Sequence, residues 1–208
     1  MTTEETLEMF NKYAENLRPP KTFETLMEEV EQRNIDDFIE CYSDKSERLK
    51  NMIELLVDCD YFTAPAAKSH HGNIPGGLYK HSKEVTEQLV NFTNKLGLRW
   101  QKEDSPLVVG LLHDLCKTQS YKIKPKETGY EIEYIGERLL DGHGSLSLII
   151  ALDLIEWLTK EEMMCIRYHM GAYTDQKEWP FVTRAVQQYP NVLYTQTANI
   201  IASQIKNI

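Results

Sequence analysis

The stretch GLLHDLCK, Gly110 to Lys117, sets His113 and Asp114 side by side behind an apolar run, with Lys117 three residues on. Imidazole and carboxylate together suit Mn, Fe, Co, Ni or Zn. One of each rarely holds an ion alone, so the chemistry needs partners elsewhere in the chain. Six histidines occur: His70, His71, His81, His113, His143 and His169. Taken singly, each is an ordinary polar side chain, and His70 reads as surface. Their placement is not scattered. His81 follows the Gly76-Gly77 pair by one helical turn, and His113 closes an apolar segment. His143 stands between two glycines ahead of another apolar segment, and His169 closes the segment after that. Four histidines near the ends of apolar helices, beside an aspartate, point to one shared polar cavity in a helical bundle. The cysteines Cys41, Cys59, Cys116 and Cys165 show no CxxC or other ligand spacing. They read as reduced, mostly buried thiols of a cytoplasmic protein, none of them spaced to compete for a metal.

The elements that must position these residues are mostly helical. Residues 3–16 and 22–32 read as short acidic helices separated by Arg18-Pro19-Pro20, with a third short segment around 35–42. The set Leu49, Met52, Ile53, Leu56 has helical period over Lys45 to Val57, with Asp44 and Glu47 as a capping pair. A loop rich in Pro and Gly follows, and the spacing then predicts a helix over 78–96 stopped by Gly97. Ser105-Pro106 reads as N-cap and first helical residue of a short apolar helix. Tyr121 and Ile123, then Tyr130, Ile132 and Tyr134, alternate as a small β-hairpin. Ser145 to Leu158 is apolar nearly all round and reads as a central helix. Thr159 and Glu162 form a capping box opening a helix to about Met170, and helices at 181–188 and 191–206 complete the chain. Residues 1–43 read as a helical extension and 44–208 as the body.

Bulk composition narrows the function classes. The 208 residues are 41% hydrophobic and 26% charged, an ordinary globular balance with room for one substantial core. No apolar run approaches the roughly 20 residues of a membrane helix. The acidic start MTTEETLEMF lacks the basic and then apolar pattern of a secretory signal, so a cytoplasmic location is expected. A net charge of −9 argues against sequence-independent binding of long nucleic acid. It leaves room for a small phosphorylated substrate held by local cations.

The segments GGLYKHS, LLHDLCK, DGHGSLS and IRYHMGAY, in that order, resemble the HD-domain metal phosphohydrolase superfamily. The likeness runs from about Asp60 to Ser203, and is greatest to small bacterial and phage HD proteins and to the HD domain of bacterial 3′–5′ exoribonucleases. These share the lead-in FTAPAAKSHHGNIPGGLYKHS. The resemblance implies an all-α HD-domain helical bundle with a small peripheral hairpin. It implies one or two divalent transition-metal ions (Mn, Fe, Co, Ni or Zn) on His81, His113, Asp114, His143 and His169, with Asp114 bridging. Lys117 matches a lysine that meets substrate phosphate, although a cation at a helix C-terminus has an ordinary structural role too. His71 falls where relatives also keep a histidine, which implies either a contact to substrate phosphate or a supporting role behind the metal ligands. The family's last ligand is an aspartate, and here that place holds Asn199, which offers a carbonyl oxygen without a charge.

The implied activity is metal-dependent hydrolysis of a phosphoester in a nucleotide or short oligonucleotide. Asp114 would orient the nucleophile, and His143 or His169 would protonate the leaving group. Tyr121, Tyr130 and Tyr134 could stack on a base or simply pack. Asn199 keeps open a catalytically impaired module that binds a nucleotide or a protein partner. A di-iron oxygenase with the same ligand types is a third reading.

Overall fold

The structure, a computed structural model, describes residues 22–69, 72–135, 142–155, 157–206 and 208. The expected helix at 3–16 lies outside them. Helices dominate, and the one sheet among the described residues is a two-stranded antiparallel hairpin. None of the described helices is long and apolar enough to cross a membrane.

Helix α1 (Phe23–Tyr42) starts at Thr22, whose hydroxyl accepts from the Thr25 amide, and buries Val30, Asn34, Phe38 and Tyr42 along one stripe. The sequence reading broke this helix after residue 32. It continues because no breaker intervenes and because Asn34, a weak helix former, gives its Nδ2 to the Phe62 carbonyl at 2.7 Å. Phe38 meets Tyr42 and Phe62 edge-on, with centroids 5.4 and 5.5 Å apart, a favoured aromatic geometry. The helix expected over 45–57 is instead two pieces, α2 (Glu47–Lys50) and α3 (Ile53–Asp58). Its cap is not Asp44 with Glu47: Ser46 Oγ accepts from the Leu49 amide.

Helix α4 (Gly77–Leu96) ends on Gly97 in the left-handed conformation, as expected. Helix α5 (Ser105–Leu112) lies against it. Its cap position is Asp104, one residue before the expected Ser105, whose hydroxyl donates to Glu162 at 2.7 Å. Gly110 makes the close approach of these two helices possible, since a Cβ there would stand 2.4 Å from Thr86 Oγ1 and 2.6 Å from its Cα. A 3₁₀ segment (Leu115–Gln119) leads into β1 (Tyr121–Pro125), which pairs with β2 (Tyr130–Tyr134) in the register Tyr121 to Tyr134 and Ile123 to Ile132. No hairpin residue is fully buried, so the hairpin is peripheral.

Helix α6 (His143–Leu154) stops earlier than expected, with Ile155 already extended. The capping box of Thr159 and Glu162 opens α7 (Lys160–Tyr168) as read from the sequence. Helices α8 (Trp179–Gln188) and α9 (Asn191–Ile200) follow, and a single π turn (Ile201–Ile205) extends α9. One apolar cluster centres on Leu78 of α4, Val108, Leu111 and Leu112 of α5, and Leu115 of the 3₁₀ segment. A second gathers Val85, Leu89, Cys165 and Val192. The ends of α4, α5, α7 and α9 meet between these clusters.

Candidate metal centre

His81, one turn into α4, is 2% exposed, His113 at the end of α5 is fully buried, and His169 at the end of α7 is 1% exposed. In each ring Nδ1 faces a backbone oxygen: Ile208 at 2.9 Å, Gly110 at 2.8 Å and Ile166 at 2.8 Å respectively. Such an oxygen only accepts, so Nδ1 carries a hydrogen and, in the neutral ring that binds a metal, Nε2 presents its lone pair. Such backbone contacts are what fix metal-binding imidazoles in orientation.

The Nε2 lone pairs face one another and a carboxylate. His113 Nε2 is 3.3 Å from His81 Nε2. Asp114 Oδ2 lies 4.0 Å from His81 Nε2 and 3.9 Å from His113 Nε2, while Oδ1 is 3.4 Å from His169 Nε2. The Asn199 Oδ1 is 3.0 Å from His81 Nε2. Every one of these atoms is an acceptor. The buried Asp114 Oδ1 and His169 Nε2 accordingly have no hydrogen-bond partner, although they are in contact. Two buried acceptors in contact with no donor between them are costly, and a cation beside Asp114 Oδ1 and His169 Nε2 removes the conflict. One ligand atom each from His81, His113 and Asp114 lies within 4.8 Å of the others, a set able to hold a metal ion.

Electrostatics suits the same use. Burial pushes the His113 imidazole down to about 3, against the pull of Asp114, so it stays neutral and its lone pair stays available. Burial opposes ionisation of Asp114, but the charge of Lys117 and the neighbouring His169 and His113 outweigh it. The carboxyl is held well below the usual range.

The remaining expected site residues are placed less uniformly. Asn199 reaches His81 from α9. His143, the first residue of α6, approaches through Cys116: its Nδ1 is 3.4 Å from Cys116 Sγ. Gly144 allows this, because a Cβ there would lie 2.0 Å from the Arg167 carbonyl and force α6 off the end of α7. Lys117 sits in the 3₁₀ segment rather than in the helix, with Nζ 5.7 Å from the centroid of the Tyr121 ring. His70 and His71 lie outside the described residues.

Sequence spacing missed Cys116. Its Sγ, His143 and Asp114 form a second set of possible metal ligands within 4.8 Å, so the expectation that no cysteine competes for metal is corrected. The available signal was its position two residues after Asp114, where a tight turn returns the chain to the same side. A cavity of about 190 Å³ opens beside His143, lined also by Gly142, Arg167, Met170, Tyr173 and Glu178. Arg167 donates to Glu178 there at 2.7 Å. Comparison with protein-family models, with characterised proteins and with solved structures finds no match.

Proposed function

We propose that this protein is a metal-dependent phosphohydrolase acting on a nucleotide or short oligonucleotide. The observation that carries the reading is the convergence of the His81, His113 and His169 Nε2 lone pairs on the buried Asp114 carboxylate. His81, His113, Asp114 and His169 would hold the ion, with Asn199 as a neutral oxygen donor. A divalent cation in such a site supplies Lewis-acid stabilisation of phosphoryl oxygens and makes a water more acidic. The chain supplies the rest. The backbone oxygens of Gly110, Ile166 and Ile208 keep the three rings in one tautomer. Lys117, whose charge reaches Asp114, offers an ammonium to a substrate phosphate. His143, which lines the cavity, would give a proton to a leaving oxygen.

The test is elemental analysis of the purified protein together with hydrolysis of a generic phosphodiester and a nucleotide panel in added Mn²⁺. Turnover that chelator abolishes and Mn²⁺ restores supports the reading; metal content without turnover of any substrate overturns it. A second reading, a module that binds a nucleotide without turning it over, draws on Asn199, which gives the centre one negative charge fewer than a second carboxylate would. Nucleotide affinity without hydrolysis would select it.

A further inference from the structure

Two cysteines are fully buried, and they sit in different surroundings. Cys165 packs in the apolar cluster with Val85, Leu89 and Val192, where a thiol serves as a small hydrophobe. Cys116 is 1% exposed and belongs to neither apolar cluster. Its Sγ lies 3.4 Å from His143 Nδ1, and one atom each from Cys116, His143 and Asp114 lies within 4.8 Å of the others. The arrangement is held in place. The Cys116 amide donates to Ser147 Oγ at 3.1 Å, which ties the 3₁₀ segment to α6 one turn on from His143.

We propose that Cys116 joins Asp114 and His143, on which the family resemblance already implies a second ion, and makes that position selective for a soft or borderline divalent ion such as Zn²⁺ or Co²⁺. Thiolate, imidazole and carboxylate are the donors such ions take, at bonds of about 2.0–2.3 Å. The separations seen here need only a small closure around the ion. The cavity beside His143 leaves an approach for a further ligand from solvent. The thiolate is what separates this position from the centre on His81 and His113, whose nitrogen and oxygen donors suit Mn²⁺ as well. Binding would release the thiol proton to water. The inference concerns binding alone and stands whether or not the protein hydrolyses a phosphoester.

Co²⁺ added to the metal-free full-length protein reads it directly. A thiolate-to-cobalt charge-transfer band should appear in the near ultraviolet, saturate at a single thiolate-bound ion per chain, and be displaced by Zn²⁺ but not by Mn²⁺. The band should vanish in Cys116→Ser and weaken at least about ten-fold in apparent affinity in His143→Gln, the scale on which losing one ligand acts. Far-UV circular dichroism checks each variant, and if Cys116→Ser does not fold, His143→Gln alone decides. His81→Ala should keep the band while losing any Mn²⁺-dependent hydrolysis. No band in the wild type, or an undiminished band in Cys116→Ser arising from Cys41 or Cys59, overturns the proposal. A band without hydrolysis overturns only the hydrolase reading, and hydrolysis without a band overturns only this one.

Discussion

The side-chain oxygen of Asn199 stands 3.0 Å from Nε2 of His81, acceptor against acceptor when that ring is neutral and its Nδ1 donates to the Ile208 backbone oxygen. A cation between the two satisfies both. Without one, a half-turn of the carboxamide presents Nδ2, which can donate to the same lone pair. Asparagine would therefore suit the site with or without an ion, whereas an ionised aspartate would suit it only with one.

Asn199→Asp should separate those states. The side chains are nearly isosteric, so packing is unchanged, and the added charge faces the cation. Mn²⁺ affinity should rise by about ten-fold or more, equivalent to ~1.4 kcal/mol, and any Mn²⁺-dependent hydrolysis with it. In chelator, the buried unpaired carboxylate should lower the melting temperature. Thermal melts with and without Mn²⁺ check both halves. A variant that melts like the parent in both conditions and binds Mn²⁺ no better removes Asn199 from the ligand set.

Gly110→Ala tests how the centre is assembled. The new Cβ would meet Thr86 at 2.4–2.6 Å and press α5 away from α4, a clash of the kind that costs about 1–3 kcal/mol. His81 and His113 sit on those two elements, so metal affinity should fall along with the urea midpoint. Gly97→Ala, where a Cβ meets nothing within 4 Å, is the control. It should lose stability through its left-handed backbone (φ +65°) but keep metal affinity.

Much of the frame could be read in the chain because local signals decided it. The Gly97 stop, the Thr159 and Glu162 capping box and the alternation of Tyr121 to Tyr134 each act within a few residues. Readings failed where a distant partner decided. Asn34 stays in mid-helix through Phe62, and Ser105 gives its hydroxyl to Glu162 instead of capping α5. The same holds at the site. Histidines at helix ends announced a shared cavity, since helix ends are where polar side chains can meet. Cys116 did not, because its partner His143 is 27 residues away and no spacing rule joins them.

Arg48 should govern the acid limb of stability. It donates to Glu162 Oε1 at 2.8 Å and to both oxygens of Asp104, joining α2 to the starts of α5 and α7. Burial raises the Asp104 carboxyl, but the hydrogen bonds from Arg48 and Ser46 outweigh it and the net direction is down. Glu162 follows the same balance, with Arg48, the Thr159 amide and Ser105 opposing burial. Both groups thus take up protons more readily unfolded than folded. Their contribution is complete above the ordinary carboxyl range of about 4 and is lost as pH falls through and below it. Arg48→Met should flatten this dependence. At neutral pH it should cost about 3–5 kcal/mol, the scale for stranding one partner of a buried pair, because the Glu162 side chain is fully buried. Urea midpoints from pH 7 down to acid, for both proteins, check the slope and the offset together.

Lys117 decides between a structural cation and a substrate contact. It lies past the end of α5, so a helix-terminal role is weak, and its Nζ rests 5.7 Å from the centroid of the Tyr121 ring. That ring contact is worth about 0.5–1 kcal/mol, and the ammonium also favours the charged Asp114 carboxylate, so Lys117→Met should lower the melting temperature and Lys117→Arg, which keeps the charge, should restore most of it. If the ammonium meets a phosphate, Lys117→Met should lose about 10- to 100-fold in kcat/KM, the equivalent of ~1.4–2.7 kcal/mol. Lys117→Arg should recover part of that loss, since a guanidinium also donates to phosphate. The split between kcat and KM carries the distinction. A contact made equally in ground and transition states raises KM alone, while one that strengthens as charge builds on the leaving oxygen lowers kcat. Unchanged kinetics beside a large fall in melting temperature would assign Lys117 to the fold.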